Sequence, residues 1–269
     1  MVGWHAAKKA VAVSGAGSGI GRALCGALAR AGARSVLCLD RDLPSAEATA
    51  RAVQSPSCEA TAQFCDAADS TSLRTVLAAA PPLDLYCANA GVATIGDAGA
   101  PEADWQKTWE LNVMQIARAA DVLVPGMIER GGGALLVTAS AAGLLTQLGS
   151  APYTATKHAA VGLAEWLSIT HGGEGITVTA LCPQAVRTPM IAALLEDPSI
   201  TGSSASVDGV LEPEEVADEA LRALEADRFL CMPDGANAKS AARHVTRKAA
   251  DRERWIAGMQ RMQTKMSKL

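Results

Sequence analysis

The stretch AVAVSGAGSGIGRALCGALARAG, residues 10–32, decides the fold. Its first four residues form an unbroken apolar run, the pattern of a strand buried on both faces. Gly15, Gly19 and Gly21 follow, and a helical pattern begins at once. A strand, a glycine-rich turn and a helix in this order let bare backbone approach a phosphate, whose charge the helix N-terminus then stabilises.

Outward from this unit the rhythm repeats. The runs SVLCLD, ATAQFCD, LDLYCANAG, GALLVTAS and ITVTALCP are each followed by a longer helix-like stretch. Near-continuous apolar strands alternating with helices imply a parallel sheet covered on both faces, a Rossmann-type doubly wound α/β fold of about seven strands. Ligands of such folds sit beyond the carboxyl ends of the strands, where strand order reverses. No linker rich in Pro, Gly or Ser divides the chain, so residues 1–269 read as one domain. PSITGSSASVDG breaks the rhythm, and residues 188–211 or so read as a mobile loop beside the substrate.

Composition narrows the function. A chain of 269 residues, 49% of them hydrophobic, can bury a large core. A net charge of −4 gives no basic field for nucleic acid or an anionic membrane surface, which leaves small-molecule chemistry as the default. The seven cysteines form no CxxC pair and several lie in apolar runs. Buried free thiols are therefore expected rather than disulfides or zinc ligands, and no metal site is expected. The N-terminus enters a strand directly, without a signal core, and no apolar run reaches about 18 residues. A soluble, cytoplasmic protein is expected.

Two further features specify chemistry. Asp40 ends the second strand about 20 residues beyond the glycine turn, where a carboxylate accepts hydrogen bonds from both hydroxyls of an adenosine ribose and repels a 2′-phosphate. Ser18, in place of a basic residue, points the same way. NAD is therefore expected over NADP, although Arg41 offers a phosphate a partner. Tyr153 and Lys157 lie four residues apart in SAPYTATKHAAVGLAEW, on one face of a helix. A nearby ammonium favours the phenolate and lowers the tyrosine pKa, making a usable proton carrier. Ser140 closes the strand GALLVTAS, also at a carboxyl end, where its hydroxyl can hold the reacting oxygen.

Together these residues resemble the short-chain dehydrogenase/reductase family over about residues 8–190. The family's TGxxxGxG matches SGAGSGIG, its NNAG matches ANAG at 88–91, and its helical asparagine matches Asn112 in ELNVMQ. The catalytic serine, tyrosine and lysine match Ser140, Tyr153 and Lys157. The resemblance implies that Gly15, Ser18, Gly19, Ile20 and Gly21 face the cofactor with Asp40 and Arg41. It assigns Asp66 to the adenine, Asn89 to the region of the adenosine ribose, Gly91 to the cofactor surface, and Pro183 and Thr188, in CPQAVRTPM, to the nicotinamide end. Tyr153 and Lys157 would touch the cofactor as well, and Asn112 would hold a proton-relay water. Homodimers or homotetramers formed through the helices bearing Asn112 and Tyr153 are implied.

Three positions depart from the family pattern. Ser14 for threonine keeps a hydroxyl, and Ala88 for asparagine removes one hydrogen-bonding group. Gln184 replaces a glycine beside the nicotinamide, so the backbone there must avoid conformations reserved for glycine. Leu144, Leu145 and Leu148, with Gln147 as a polar exception, and Met190, Ile191, Leu194 and Leu195 are expected around the substrate with Gln184.

Beyond Ala238 the composition changes, with nine Lys/Arg against two Asp/Glu. Trp255, Met259, Met262, Met266 and Leu269 form a narrow apolar stripe on a helical tail of about 237–269, suited to bracing a neighbouring subunit, with a membrane surface the rarer use. These features indicate an NAD-dependent interconversion of a hydrophobic secondary alcohol and its ketone. A non-catalytic redox sensor, or an epimerase or dehydratase retaining NAD, would share the fold.

Overall fold

A computed structural model describes residues 3–195, 210–233, 252–254, 256–258 and 261; for 193–195 only the backbone is described. Seven parallel strands form one sheet in the order β3-β2-β1-β4-β5-β6-β7. They are β1 (Ala10–Ser14), β2 (Ser35–Asp40), β3 (Glu59–Phe64), β4 (Leu85–Ala88), β5 (Gly133–Thr138), β6 (Ile176–Leu181) and β7 (Leu230–Cys231). The first six are the apolar runs read from the sequence. With only two residues, β7 is too short to show a strand pattern.

The helices between them are α1 (Gly19–Arg30), α2 (Leu43–Val53), α3 (Ser70–Ala79), α4 (Glu102–Trp109), α5 (Gln115–Glu129), α6 (Ala151–His171), α7 (Pro189–Leu195) and α8 (Pro213–Glu225). Side-chain alternation along β1 sorts them onto two faces. Ala10 and Ala12 pack with Leu73 and Leu77 of α3, Leu123 and Met127 of α5, and Val161 of α6. Val11 and Val13 pack with Leu24 and Leu28 of α1, Ala46 of α2, and Val216 and Leu224 of α8. Every residue of β1 is buried, as a strand covered on both faces must be.

Strand order reverses between β1 and β4, and the loops after these two strands diverge there. The glycine turn leaves β1 and the 88–91 turn leaves β4, so the switch point and the phosphate loop coincide. Between α4 and α5 the chain makes a π-helical turn, Glu110–Met114, centred on Asn112. Such turns concentrate at functional sites.

The expected loop at 188–211 is partly helix: α7 begins directly after Thr188, because proline is favoured in a first turn. Residues 196–209 lie outside the described residues. A parallel bridge, Val186 to Leu211, joins the two ends of this excursion. Most of the tail, including Trp255, Met259, Met262, Met266 and Leu269, also lies outside them. Ile256, within the tail, is buried in the chain's own core. Beside it Arg252 pairs with Glu165 of α6, and Glu253 accepts a 3.0 Å hydrogen bond from the Leu230 amide.

All seven cysteines are free and buried. Among the described residues no helix is long and apolar enough to cross a membrane.

Candidate active site

A cavity of about 440 Å³ lies across the carboxyl ends of the strands. This is large enough for a small-molecule cofactor and substrate. The glycine turn forms one wall. Gly15 and Gly19 take left-handed φ values of 68° and 50° that favour glycine. At Gly21 a Cβ would stand 2.0 Å from the Gly15 carbonyl oxygen, so that position admits no side chain. Ser18 precedes α1 without capping it through its hydroxyl. The first amides of α1 are thus left for an anion.

Asp40 reaches back to this turn. Its Oδ2 accepts a hydrogen bond from the Gly17 amide at 2.8 Å, and its Oδ1 accepts one from the Asp42 amide at 2.9 Å. The carboxylate therefore fixes the loop and, having further lone pairs, can also accept from a sugar hydroxyl. Arg41 lies beside it on the cavity wall. Farther along, Asp66 turns inward on itself, its Oδ1 accepting from the Ala68 amide at 2.9 Å. The Ala68 carbonyl accepts from Arg118 at 2.9 Å.

At the other end stand Ser140, Tyr153 and Lys157. Tyr153 and Lys157 share a face of α6, with Nζ 5.6 Å from the centre of the tyrosine ring. Lys157 is buried and donates a 2.8 Å hydrogen bond to the Thr138 carbonyl. Thr138 in turn donates from its hydroxyl to Asn89 Oδ1 at 3.1 Å, while Asn89 Nδ2 donates to the Ser14 carbonyl at 3.0 Å. The ends of β1, β4 and β5 are thereby tied to the lysine through protein atoms.

Burial governs the charges here. It pulls the Lys157 pKa down from 10.5 to about 8. It pushes the Tyr153 hydroxyl up, against a smaller downward pull from the Ser140 side chain. The direction is opposite to the lowering expected from the ammonium, and loss of solvation is its largest cause. The neighbouring Cys182 thiol is pushed up to about 12 by burial and stays neutral.

The structure brings together around this one cavity every residue expected to face the cofactor, from Gly15 to Thr188, as well as Gln184, Met190 and Ile191. Asn112 stands behind it, against Gly91, where a Cβ would approach its Oδ1 to 3.2 Å. Both amide hydrogens of Asn112 are spent within the protein, on the Val92 carbonyl at 3.0 Å and Thr156 Oγ1 at 3.1 Å. Its side chain therefore holds the 91–92 turn, its Oδ1 also accepting from the Val92 amide at 2.9 Å.

The leucines before Tyr153 do not line the cavity. Leu144 is buried in the core and Leu145 packs against it, because the turn Ala141–Gly143 directs both inward. Leu148 is 87% exposed, and Gln147 hydrogen-bonds Thr154 through its backbone. The side chains of Leu194 and Leu195 lie outside the described residues. Sequence reasoning missed Val92, Lys107 and Leu111 on the wall. Lys107 and Leu111, four apart ahead of Asn112, carry the same spacing signal as Tyr153 and Lys157.

The family model for short chain dehydrogenases matches residues 9–199. A 1-deoxy-11-beta-hydroxypentalenate dehydrogenase of Streptomyces exfoliatus is 36% identical over 239 residues, 84% of this chain and 82% of that protein. A galactitol 2-dehydrogenase (L-tagatose-forming) of Cereibacter sphaeroides is 31% identical over 218 residues, 78% of this chain and 85% of that protein. The structure of a short-chain dehydrogenase from Sphingobium yanoikuyae in complex with NADPH superposes with a TM-score of 0.77 at 25% identity, covering 91% of this chain and 94% of that one. With the glycine turn, the 88–91 turn and the Ser140, Tyr153 and Lys157 cluster in one cavity, this chain belongs to the short-chain dehydrogenase/reductase family of oxidoreductases.

Proposed function

We propose that the protein interconverts a hydrophobic secondary alcohol and its ketone with NAD as the cofactor. The observation that carries this is the convergence of Tyr153, Ser140 and Lys157 at one end of a cavity whose other end presents the glycine turn and Asp40. Gly15, Gly19, Gly21 and Gly91 line the cavity without side chains, leaving bare backbone that suits a dinucleotide. When bound, the nicotinamide supplies hydride acceptance and delivery.

The chain's residues do the rest. Tyr153 takes the hydroxyl proton in oxidation as the phenolate and returns it in reduction as the phenol, and Ser140 holds the oxygen that carries it. Lys157 donates one proton of its ammonium to the Thr138 carbonyl and has two more for ribose hydroxyls and the tyrosine. Asn112 acts as a positioning residue through the Gly91–Val92 turn. Asp40 favours NAD by holding ribose hydroxyls and repelling a 2′-phosphate. Pro189, Met190 and Ile191 give the substrate end an apolar wall.

Trp109 and Trp166 are exposed on the helical segments next to Asn112 and Tyr153, which suits a homodimer or homotetramer formed there. A single catalytic domain acting in the cytoplasm completes the reading. The test is formation of free NADH, followed by absorbance, across a panel of aliphatic, aromatic, terpenoid and steroid secondary alcohols. Stoichiometric NADH with turnover supports a dehydrogenase. Substrate conversion without it would indicate an epimerase or dehydratase, and neither would indicate a sensor.

A further inference from the structure

We propose that Gln184 reads a second oxygen on the substrate, so that the preferred substrate carries a neutral hydroxyl or carbonyl on the carbon next to the reacting one; this rests on the dehydrogenase reading of the site. The position is built rather than incidental. After β6, Pro183 is pinned beside Ser140, its carbonyl accepting from the Ala141 amide at 2.9 Å. Two residues on, the Ala185 carbonyl accepts from the Leu211 amide at 2.9 Å. Cys182, Pro183, Ala185 and Val186 are all buried, and Gln184 alone in this run is partly open, on the cavity wall.

Nothing in the backbone demands a particular residue here. Gln184 is not among the residues with left-handed φ, so the glycine of the family pattern is not needed for conformation, and the side chain is a free choice. Its amide offers two donors and an acceptor, and no partner holds it among the described residues. Pro189, Met190 and Ile191 at this end of the cavity bring no polar side-chain group of the same kind. A half-buried amide in such surroundings is satisfied by water or by ligand, and a site built around one discriminates against ligands that cannot pair with it. An uncharged amide matches an uncharged oxygen, whereas a carboxylate calls for a guanidinium or ammonium. The Ala141–Pro183 hydrogen bond joins the segments that carry Ser140 and Gln184, so the amide stands on the stretch of chain beside the one that holds the reacting oxygen.

The experiment compares matched alcohols that differ only in a vicinal hydroxyl, phenylethanol against phenylethanediol and cyclohexanol against its vicinal diol, in the full-length protein with NAD. The ratio of kcat/KM, diol over mono-alcohol, is read for the native chain, Gln184→Leu and Gln184→Asn; comparing that ratio between variants cancels the intrinsic reactivity of the substrates. The native ratio is expected to be about tenfold or more, to fall toward unity in Gln184→Leu, and to be partly kept by the shorter amide of Gln184→Asn. Quenching of tryptophan fluorescence by NADH shows that each variant is folded, and Gln184→Gly replaces Gln184→Leu if that protein does not bind. An unchanged ratio in a folded variant without the amide overturns the proposal. Absence of NADH formation from any alcohol overturns the dehydrogenase reading itself, and this inference with it.

Discussion

Lys157→Met isolates the cost of keeping an ammonium at the bottom of the cavity. The lysine is 4% exposed, and burial holds its pKa at about 8 instead of 10.5. At about 1.4 kcal/mol per pH unit, this difference suppresses stability by on the order of 3 kcal/mol wherever the lysine is charged in both states. Below pH 8 that penalty is present in full. Between about pH 8 and 10.5 the folded chain has released the proton while the unfolded chain keeps it, so stability rises with pH. Methionine fills a similar volume without charge, but it strands the Thr138 carbonyl, a loss of about 1–2 kcal/mol. The variant should therefore be more stable than the native protein at pH 7 by about 1–2 kcal/mol, despite being inactive. The assay is urea unfolding of both proteins without dinucleotide, from pH 7 to 10. The advantage of the variant should shrink steadily above pH 8 and then reverse. Parallel stability curves across this range would refute the reasoning, whatever the offset at pH 7.

Other substitutions test the cofactor end. Gly21→Ala places a Cβ 2.0 Å from the Gly15 carbonyl oxygen, so the turn must open and NADH affinity, read by fluorescence titration, should fall about 100-fold. Asp40→Ala should narrow the ratio of kcat/KM for NAD over NADP. It should also raise KM for both, since the Gly17 amide loses its 2.8 Å partner. Unchanged selectivity would leave Asp40 with the loop-fixing role alone.

The parts legible in the sequence were those with local spacing. The glycine turn, Asp40 at the end of β2, and the Tyr153 and Lys157 pair are each fixed by a few residues of chain, and period and position suffice to read them. The ties among Ser14, Asn89, Thr138 and Lys157 were not legible, because they run through backbone carbonyls of strands far apart in the chain. Direction was the other missing quantity. Leu144, Leu145 and Leu148 are equally apolar on paper, yet a short turn sends the first two into the core and leaves the third in solvent. Tyr153 shows the same limit in electrostatics: counting charges along a helix predicts a lowered pKa, whereas burial, which only the fold supplies, raises it.

The central claim is that the Tyr153 hydroxyl carries the substrate's proton in a site that binds the dinucleotide without it. Tyr153→Phe removes that hydroxyl alone, and the decisive measurement is kcat for alcohol oxidation beside NADH affinity in the same preparation. NADH binding should stay within about threefold while kcat falls by about 10³-fold or more, the scale of a lost acid–base group combined with lost positioning. A variant that binds NADH and keeps most of its kcat would contradict the account, since the proton would then travel by a route that does not pass through Tyr153.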